Sequence, residues 1–499
     1  MVRERKGIRP RLEERLRLFR RLVFANPFRA ERENVERSIL ASFGEEPGPG
    51  KSQLDRIQVR GAEVEKELRG SAVPSRLTAE IRRAAAVFIL FRIYHDLIPE
   101  LDRLASEGGQ KASANRRIYE QVKQRVEEGR AWIRGGEEDA WLRPDHLLAC
   151  FFQLRRAFHH IHRSIIGESE PIRDLRARVW ESIFTCDMQR YQLWMHEAVG
   201  RFPTLVTGPS GSGKELVARA IGLSRFLPYH PDTGEFGDGG GASLLAANPA
   251  AFSPTLVESE LFGHSKGAFT GAQGDRKGLF ETAGDSGCVF LDEIGEISAD
   301  LQVKLLRLLQ SGEFQRLGES RTRYFSGKII AATNRDLASE IAGHTFREDL
   351  YYRLCGDQVR TPELRVILAD RPTDLSDFVG FVCRNLFGEE AARDLSSETT
   401  KRLLDGLPRD YPWPGNFREL EQAVRNIVVT GRYEPSRARD ASSGAAAFLE
   451  KAQGSLQEWS VFYARRAVAV HGSIRKAAAV LGVDPRTVSR ILKDGKEGS

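Results

Sequence analysis

The sequence predicts a multidomain chain: an all-α N-terminal region, an α/β core backed by a helical lid, and a small helical domain at the C-terminus. Three observations carry this. The 499 residues make two to four domains at roughly 100–200 residues each. The hydrophobic pattern is helical up to about residue 165, and from about Gly200 it becomes short apolar runs alternating with helical stretches. It is helical again beyond about Arg360. Hydrophobic residues at 41% and charged residues at 29% are ordinary globular proportions, which argues against a mostly disordered or fibrous chain.

Residues 1–164 form the first expected domain. Leu12, Leu16, Leu18, Phe19 and Leu22 recur at helical spacing among Arg and Glu. A break at Glu46-Pro-Gly-Pro-Gly-Lys51 interrupts the region. Further helical patterns run from about Leu77 to Leu104, Ile118 to Ile133 and His146 to Ile165. The absence of strand–helix alternation disfavours a phosphoacceptor receiver domain, which needs a doubly wound sheet. The most apolar run, Ala84–Phe91, lies between Arg83 and Arg92 and falls short of the ~18–20 residues a membrane span requires. No secretory leader is expected, because Met1-Val-Arg-Glu-Arg-Lys6 opens with charge. Five scattered cysteines without a CxxC pair suit a reducing, cytoplasmic setting and exclude the usual zinc spacings. His159, His160 and His162 cluster, without the Cys or acidic partners a metal site needs. A net charge of +6 permits a nucleic-acid partner without proving one.

The α/β core, 165–360, takes its strands from Thr204–Thr207, Ser243–Ala247, Gly287–Leu291 and Lys328–Ala332. Runs of four to five apolar residues between turn signals are what buried parallel strands look like. Between the first strand and a helical pattern at Leu216–Leu223 lies Gly208-Pro209-Ser210-Gly211-Ser212-Gly213-Lys214-Glu215. Glycines there let backbone N–H groups turn onto phosphate oxygens, and Lys214 can reach the outer phosphates. Glu215 stands where a Ser or Thr magnesium ligand is usual. Cys288-Val-Phe-Leu-Asp292-Glu293 is a buried strand ending in two carboxylates. Asp292 is expected to hold Mg2+ and Glu293 to activate water on bound ATP. A further strand ends at Thr333-Asn334, where Asn334 can read the γ-phosphate.

Here the sequence resembles the AAA+ ATPase domain of bacterial sigma-54-dependent transcriptional activators, over roughly 165–432. The resemblance rests on Ile165-Ile-Gly-Glu-Ser169, Glu258-Ser-Glu-Leu-Phe-Gly-His264, Gly267-Ala268-Phe269-Thr270-Gly271-Ala272, Phe346-Arg347-Glu-Asp-Leu-Tyr-Tyr-Arg353-Leu354 and Trp413-Pro-Gly-Asn-Phe-Arg418-Glu-Leu420. It implies an α/β AAA+ P-loop ATPase core (165–360), with a helical lid (361–432). It implies that residues 267–272 contact sigma-54, and Phe269 in particular is an aromatic of the type that anchors partners. It implies that Asn248 couples Glu293 to nucleotide state, that Arg347 and Arg353 are arginine fingers, and that Arg418 is a nucleotide sensor in the lid. Pro209, Pro249 and the Gly-rich stretch within Pro228–Ala242 depart from the family pattern, as does Val366-Ile-Leu-Ala-Asp-Arg-Pro372.

Residues 433–448 read as a linker and 449–499 as a DNA-binding domain. In Ser473–Leu492, Ala477, Ala478 and Leu481 form a packed face, Gly482 turns the chain, Asp484 caps and Pro485 opens a second helix. That helix is expected to expose Arg486, Thr487, Ser489, Arg490 and Lys493 to a major groove. The pattern is a helix-turn-helix and resembles the Fis-type domain of many sigma-54 activators. The implied protein is a cytoplasmic activator, a ring oligomer and by resemblance a hexamer. It binds double-stranded DNA upstream of promoters and uses ATP and Mg2+ to remodel the sigma-54 RNA polymerase holoenzyme. The alternative is an ATP-regulated DNA-binding repressor or scaffold. Residues 1–164 are expected to regulate the motor, with no phosphorylated aspartate.

Overall fold

The structure is a computed structural model, and it describes residues 10–45, 53–70, 78–133, 143–237, 243–435 and 472–494, with short stretches between 460 and 468. Residues to Tyr433 make one compact unit and those from Glu434 a second.

The first unit opens with seven helices: α1 (Pro10–Phe24), α2 (Ala30–Ser42), α3 (Gln53–Gly70), α4 (Ala79–Asp96), α5 (Ile98–Ser106), α6 (Ala112–Ile133) and α7 (Pro144–Ser164). In α1 the buried side chains are Leu12, Leu16, Phe19 and Leu22, one stripe at helical spacing with charge elsewhere. They pack on α4, where Phe88 and Phe91 lie 5.0 and 5.1 Å from the Phe19 ring. The run Ala84–Phe91 is buried throughout, because α4 is the central helix of this bundle. Among the described residues no helix is long and apolar enough to cross a membrane. The break at 46–51 lies outside the described residues.

Helix α7 revises the expected boundary at 165. Its first half places Leu147, Leu148, Phe151 and Phe152 in the core of the helical bundle. Its second half places Ala157 and Ile161 in the core of the following α/β domain, with Ile165. Helix α8 (Glu170–Phe184) continues that second core. One unbroken helix therefore belongs to two hydrophobic cores.

The central sheet is parallel, with β11-β1-β10-β7-β4 as its order. Its strands are β1 (Thr204–Thr207), β4 (Leu244–Ala247), β7 (Cys288–Leu291), β10 (Lys328–Thr333) and β11 (Asp357–Arg360). Four were legible as apolar runs, though β4, at the sheet edge, is only partly buried; β11, Asp-Gln-Val-Arg, was not, since an edge strand needs only Val359 inside. Three short antiparallel pairs accompany the sheet: β2 (Tyr229–His230) with β3 (Glu235–Phe236), β5 (Gly263–His264) with β6 (Arg276–Lys277), and β8 (Glu313–Phe314) with β9 (Arg323–Tyr324). The Gly-rich stretch after Pro228 thus begins as the β2–β3 hairpin, while residues 238–242 lie outside the described residues. The lid comprises helices Leu364–Asp370, Asp374–Gly406 and Asn416–Thr430; the long one breaks at Gly388.

In the second unit, helices Ile474–Leu481 and Pro485–Asp494 are joined by a tight turn. Gly482 takes φ 66°, which glycine adopts freely. The Ser473 hydroxyl caps the first helix at Lys476 N, and Asp484 Oδ1 accepts from Arg486 N. Ala464, Ala478 and Val488 form the core. Arg486 and Arg490 are exposed, but Thr487 and Ser489 are half-buried beside Val488 rather than open to solvent. The Lys493 side chain and residues 436–448 of the expected linker lie outside the described residues.

Candidate functional site: a phosphate loop closed by the lid

Parallel strands present their carboxyl ends together, and a ligand site forms where loops diverge there. Thr207 pairs in register with Thr333, and Leu291 with Ala331. The loop after β1 and the carboxylates after β7 therefore flank the end of β10. A cavity of about 350 Å³ occupies this place, lined by Gly211–Val217, Asp292, Glu293 and Arg418 among others.

The loop's glycines are required by contacts. Gly208 has φ +147°, and a Cβ there would fall 2.0 Å from Thr361 Oγ1. Gly211 has φ +74°, and its Cβ would meet Gly415 O at 2.4 Å. Gly213 at φ +88° precedes the loop helix, Lys214–Gly222. Thr361 N donates to Thr207 O, and Ser212 Oγ lies 2.6 Å from Thr361 Oγ1, so the loop is braced from the strand beside it. Lys214 is buried, and its ammonium donates to Gly208 O and Pro209 O, each at 3.1 Å. Burial lowers its pKa, while Glu293 and Asp292 oppose that shift. Pro209 supplies one of those carbonyls, and Glu215 is exposed at the cavity rim.

Asp292 Oδ1 accepts from Glu293 N at 2.9 Å. Glu293 is held at φ 51°, a left-handed conformation uncommon outside glycine, and its Oε2 is buried without a hydrogen-bond partner. A carboxylate oxygen left unsatisfied at the cavity wall fits a position reserved for something that binds there. Asp292 beside it is a hard oxygen ligand suited to Mg2+.

The lid reaches the loop directly. Asn416 Nδ2 donates to Ser210 O at 3.0 Å, and Asn416 Oδ1 accepts from Leu364 N at 2.9 Å. Phe417 N donates to Gly211 O, and Arg418 Nη1 donates to Ser210 Oγ at 3.0 Å. The far wall is apolar: Ile165, Ile166, Phe378, Phe381 and Leu386. It offers a dry surface for a planar base. Sequence reasoning placed Lys214, Asp292, Glu293 and Arg418 here but missed this wall and the Thr361–Asn416 bracing. Those residues come from four separate segments, and no spacing rule links them.

The other expected site residues lie apart from this cavity. Asn248 follows β4, next to β7, but its Oδ1 accepts from Ala250 N at 3.0 Å and caps the turn Pro249–Ala251 instead of meeting Glu293. Asn334 is exposed at the end of β10. Arg347 is an exposed N-terminal residue of helix Glu348–Leu354, paired with Asp349 at 2.7 Å, and Arg353 is exposed one turn on. Neither arginine lines its own chain's cavity.

Residues 267–272 form a tight loop between β5 and β6. Gly267 N donates to Ala272 O and Ala272 N to Phe269 O. Gly267 and Gly271 take φ 82° and 105°. The Phe269 ring is half-buried, edge-on to His264 at 5.0 Å. Phe269, the aromatic expected to anchor a partner, is thus partly covered, and Gly267, Thr270 and Gly271 are the exposed residues of the loop. Among the described residues no group of three or more His, Cys, Asp or Glu could hold a metal. The neighbouring His159 and His160 rings on α7 meet edge to face at 5.4 Å, and His162 lies against Phe28 and Phe158.

Residues 188–360 match the family model described as the Sigma-54 interaction domain. The Nif-specific regulatory protein of Azotobacter vinelandii is 46% identical over 226 residues, covering 45% of this chain and 39% of that protein. The Nif-specific regulatory protein of Klebsiella pneumoniae is 41% identical over 313 residues, 58% of this chain and 54% of that protein. The chain thus spans about half the length, or less, of these relatives. NtrX from Brucella abortus in complex with ADP is 23% identical, covering 70% of this chain and 76% of that one, at a TM-score of 0.40. That likeness is too low to bear on the site. The domain match and the two relatives agree with the loop and carboxylates just described: residues 188–360 are a Sigma-54 interaction domain, similar in sequence to these two regulatory proteins.

Proposed function

We propose that this chain is an ATP-hydrolysing activator of sigma-54 RNA polymerase. The observation that carries the reading is the single cavity in which Lys214, Asp292, Glu293 and the lid residue Arg418 converge. Bound ATP with Mg2+ would supply the phosphoryl group and the charge neutralisation for its transfer. The Lys214 ammonium would exchange its two carbonyl partners for phosphate oxygens, and the loop amides would meet the same anion. Asp292 would hold the metal, and Glu293 Oε2 would take the proton from water as general base. Arg418, bonded to Ser210, ties lid position to loop occupancy.

Arg347 and Arg353 are assigned to a neighbouring subunit's site in a ring, for which a hexamer is the family's form. Both are exposed, and a guanidinium offered across an interface stabilises transferring phosphate. Asn248 and Asn334, each at the end of a strand that neighbours β7, are assigned to nucleotide-state coupling. Thr270 and the glycines of the 267–272 loop are assigned to sigma-54. Arg486, Arg490, Thr487, Ser489 and Lys493 are assigned to upstream DNA, with the two exposed arginines as the base readers and the half-buried Thr487 and Ser489 nearer the backbone.

The test is twofold. ATPase turnover per subunit should rise with protein concentration, because each site needs a neighbour. Thr270→Ala should keep DNA binding and measurable ATPase activity yet lose open-complex formation at a sigma-54 promoter. A variant that still opens the promoter would remove the loop from the mechanism.

A further inference from the structure

A second cavity, of about 210 Å³, lies within the first unit where the helical bundle meets the α/β domain. Its walls come from α4, α7, α8 and the turn Met188–Gln192. They are largely aromatic: Phe91, Tyr94, Phe151, Phe158, Trp180 and Phe184. An apolar cavity of about 150 Å³ already accommodates a benzene ring.

Its polar groups are few and unsatisfied. The Tyr94 hydroxyl is buried; the Arg155 guanidinium reaches its oxygen, but its hydrogen has no acceptor. Gln153 is 1% exposed, and its Oε1 also has none. The amide cannot be turned round to cure this, because its Nε2 donates to Ser224 O at 3.0 Å, a carbonyl that only accepts, as well as to the Tyr191 hydroxyl at 2.7 Å. His95 Nδ1 lies 2.8 Å from Phe91 O. A carbonyl there requires Nδ1 to carry the hydrogen, which leaves Nε2 as an acceptor. Burial lowers the pKa of this ring to about 4, so it is neutral at pH 7. Burial likewise pushes the Cys150 thiol up to about 12.

The charged groups at the cavity are already compensated. Arg32 is paired with Glu36 and donates to Leu22 O; Arg155 Nε donates to Asp102 at 2.7 Å. What remains is one donor and two acceptors, in an aromatic enclosure with no spare charge. An unpaired buried polar group costs about 1–3 kcal/mol, so two on one small cavity mark a place where an occupant supplies the partners.

We propose that this cavity binds a small neutral aromatic molecule, one ring in size, that carries both a hydrogen-bond acceptor for Tyr94 and a donor for Gln153. The walls connect it to the nucleotide site. Gln153 holds Ser224, and Arg156 on the next turn position holds Leu223 O and Arg225 O. These three residues follow the loop helix, Lys214–Gly222, whose other end is the phosphate loop. Tyr191, the partner of Gln153, opens the π-helical segment Tyr191–Met195; such segments recur at functional sites.

Benzamide has the required shape and polarity, and benzoate is the same ring with a charge. Calorimetric titration of the full chain with benzamide should show one saturable site per chain, at about 0.1–1 mM. Benzoate should bind at least about 10-fold more weakly, because no free cation awaits it. Tyr94→Phe should weaken benzamide about 5- to 10-fold while ADP still binds, since the ring and its packing stay and only the hydroxyl is lost. Cys150→Leu, which fills the cavity, should abolish binding while ADP still binds. Failure of benzamide to saturate a site in the wild type, equal binding of benzoate, or unchanged affinity in Tyr94→Phe would each overturn the assignment. None of these outcomes bears on the ATPase reading, which is scored by ADP binding to the same samples.

Discussion

Glu293 combines three properties at one residue: a left-handed backbone, a buried oxygen without a partner, and a neighbour, Asp292, that hydrogen-bonds its amide. Sparsely populated backbone conformations cost of order 1–3 kcal/mol and persist where the surroundings over-determine them. Here the strain aims the carboxylate at the cavity. Replacing only its charge isolates the chemistry. Glu293→Gln is expected to bind ADP as the wild type does, because Lys214 and the loop amides are untouched, and to lose about 10²–10⁴-fold in hydrolysis. Equilibrium binding with single-turnover hydrolysis checks both halves. Wild-type turnover would remove Glu293 from its role.

At the scale of elements, the β2–β3 hairpin deserves the closest physical reading. It follows the loop helix in sequence, yet Leu227, Tyr229 and Phe236 belong to the core of the N-terminal bundle. Phe236 lies 4.2 Å from the Phe152 ring and Tyr229 lies 5.2 Å from Tyr119. Asn115, fully buried, donates from one amide nitrogen to Gly109 O and Gly234 O at 2.9 and 2.8 Å. Arg116 donates to Asp232 O and Thr233 O. The hairpin is therefore a clasp between the bundle and the α/β domain. Asn115→Ala strands two buried carbonyls and is expected to cost about 1–3 kcal/mol. Thermal unfolding should show a lower melting temperature, and hydrogen exchange should rise first in residues 229–237. An unchanged melting temperature and exchange pattern would mean the clasp contributes nothing.

At the scale of the molecule, bundle and α/β domain share α7 and the clasp, so they should unfold together. A chain beginning at Ile165 would lack Ala157 and Ile161 from the second core and leave Tyr229 and Phe236 without their partners. Burying a large apolar side chain is worth roughly 1.5–3 kcal/mol. That shortened chain is expected to melt several degrees lower and to aggregate, whereas one beginning at Pro144 keeps the whole of α7 and should recover part of the loss. Calorimetry of the three lengths decides this, and equal melting points would make the bundle an independent domain. The same interior predicts acid sensitivity. Burial lowers the pKa of His95 to about 4 and that of His160 to about 3, below the ordinary value near 6.5. Between those values the unfolded chain binds protons that the folded chain refuses, so stability falls as pH drops below about 6.5, by at most about 1.4 kcal/mol per pH unit for each ring. His95→Gln should flatten part of that slope in denaturant titrations between pH 7 and 5.

The sequence by itself determined what short-range physics writes into contiguous residues. Buried strands such as Cys288–Leu291, the glycine spacing of 208–214, and the cap at Asp484 were legible because hydrogen bonding and backbone freedom act over a few positions. The stripes of α1 and α7 were legible through their period. Only the tertiary structure decided the rest. It put Thr361 against Gly208, Asn416 on Ser210, and Ile165 with Phe378 around one cavity. It turned Phe269 onto His264, half-buried Thr487 and Ser489, and made one helix serve two cores. Those outcomes depend on which faces meet across scores to hundreds of residues, and packing between distant segments leaves no periodic trace in either of them.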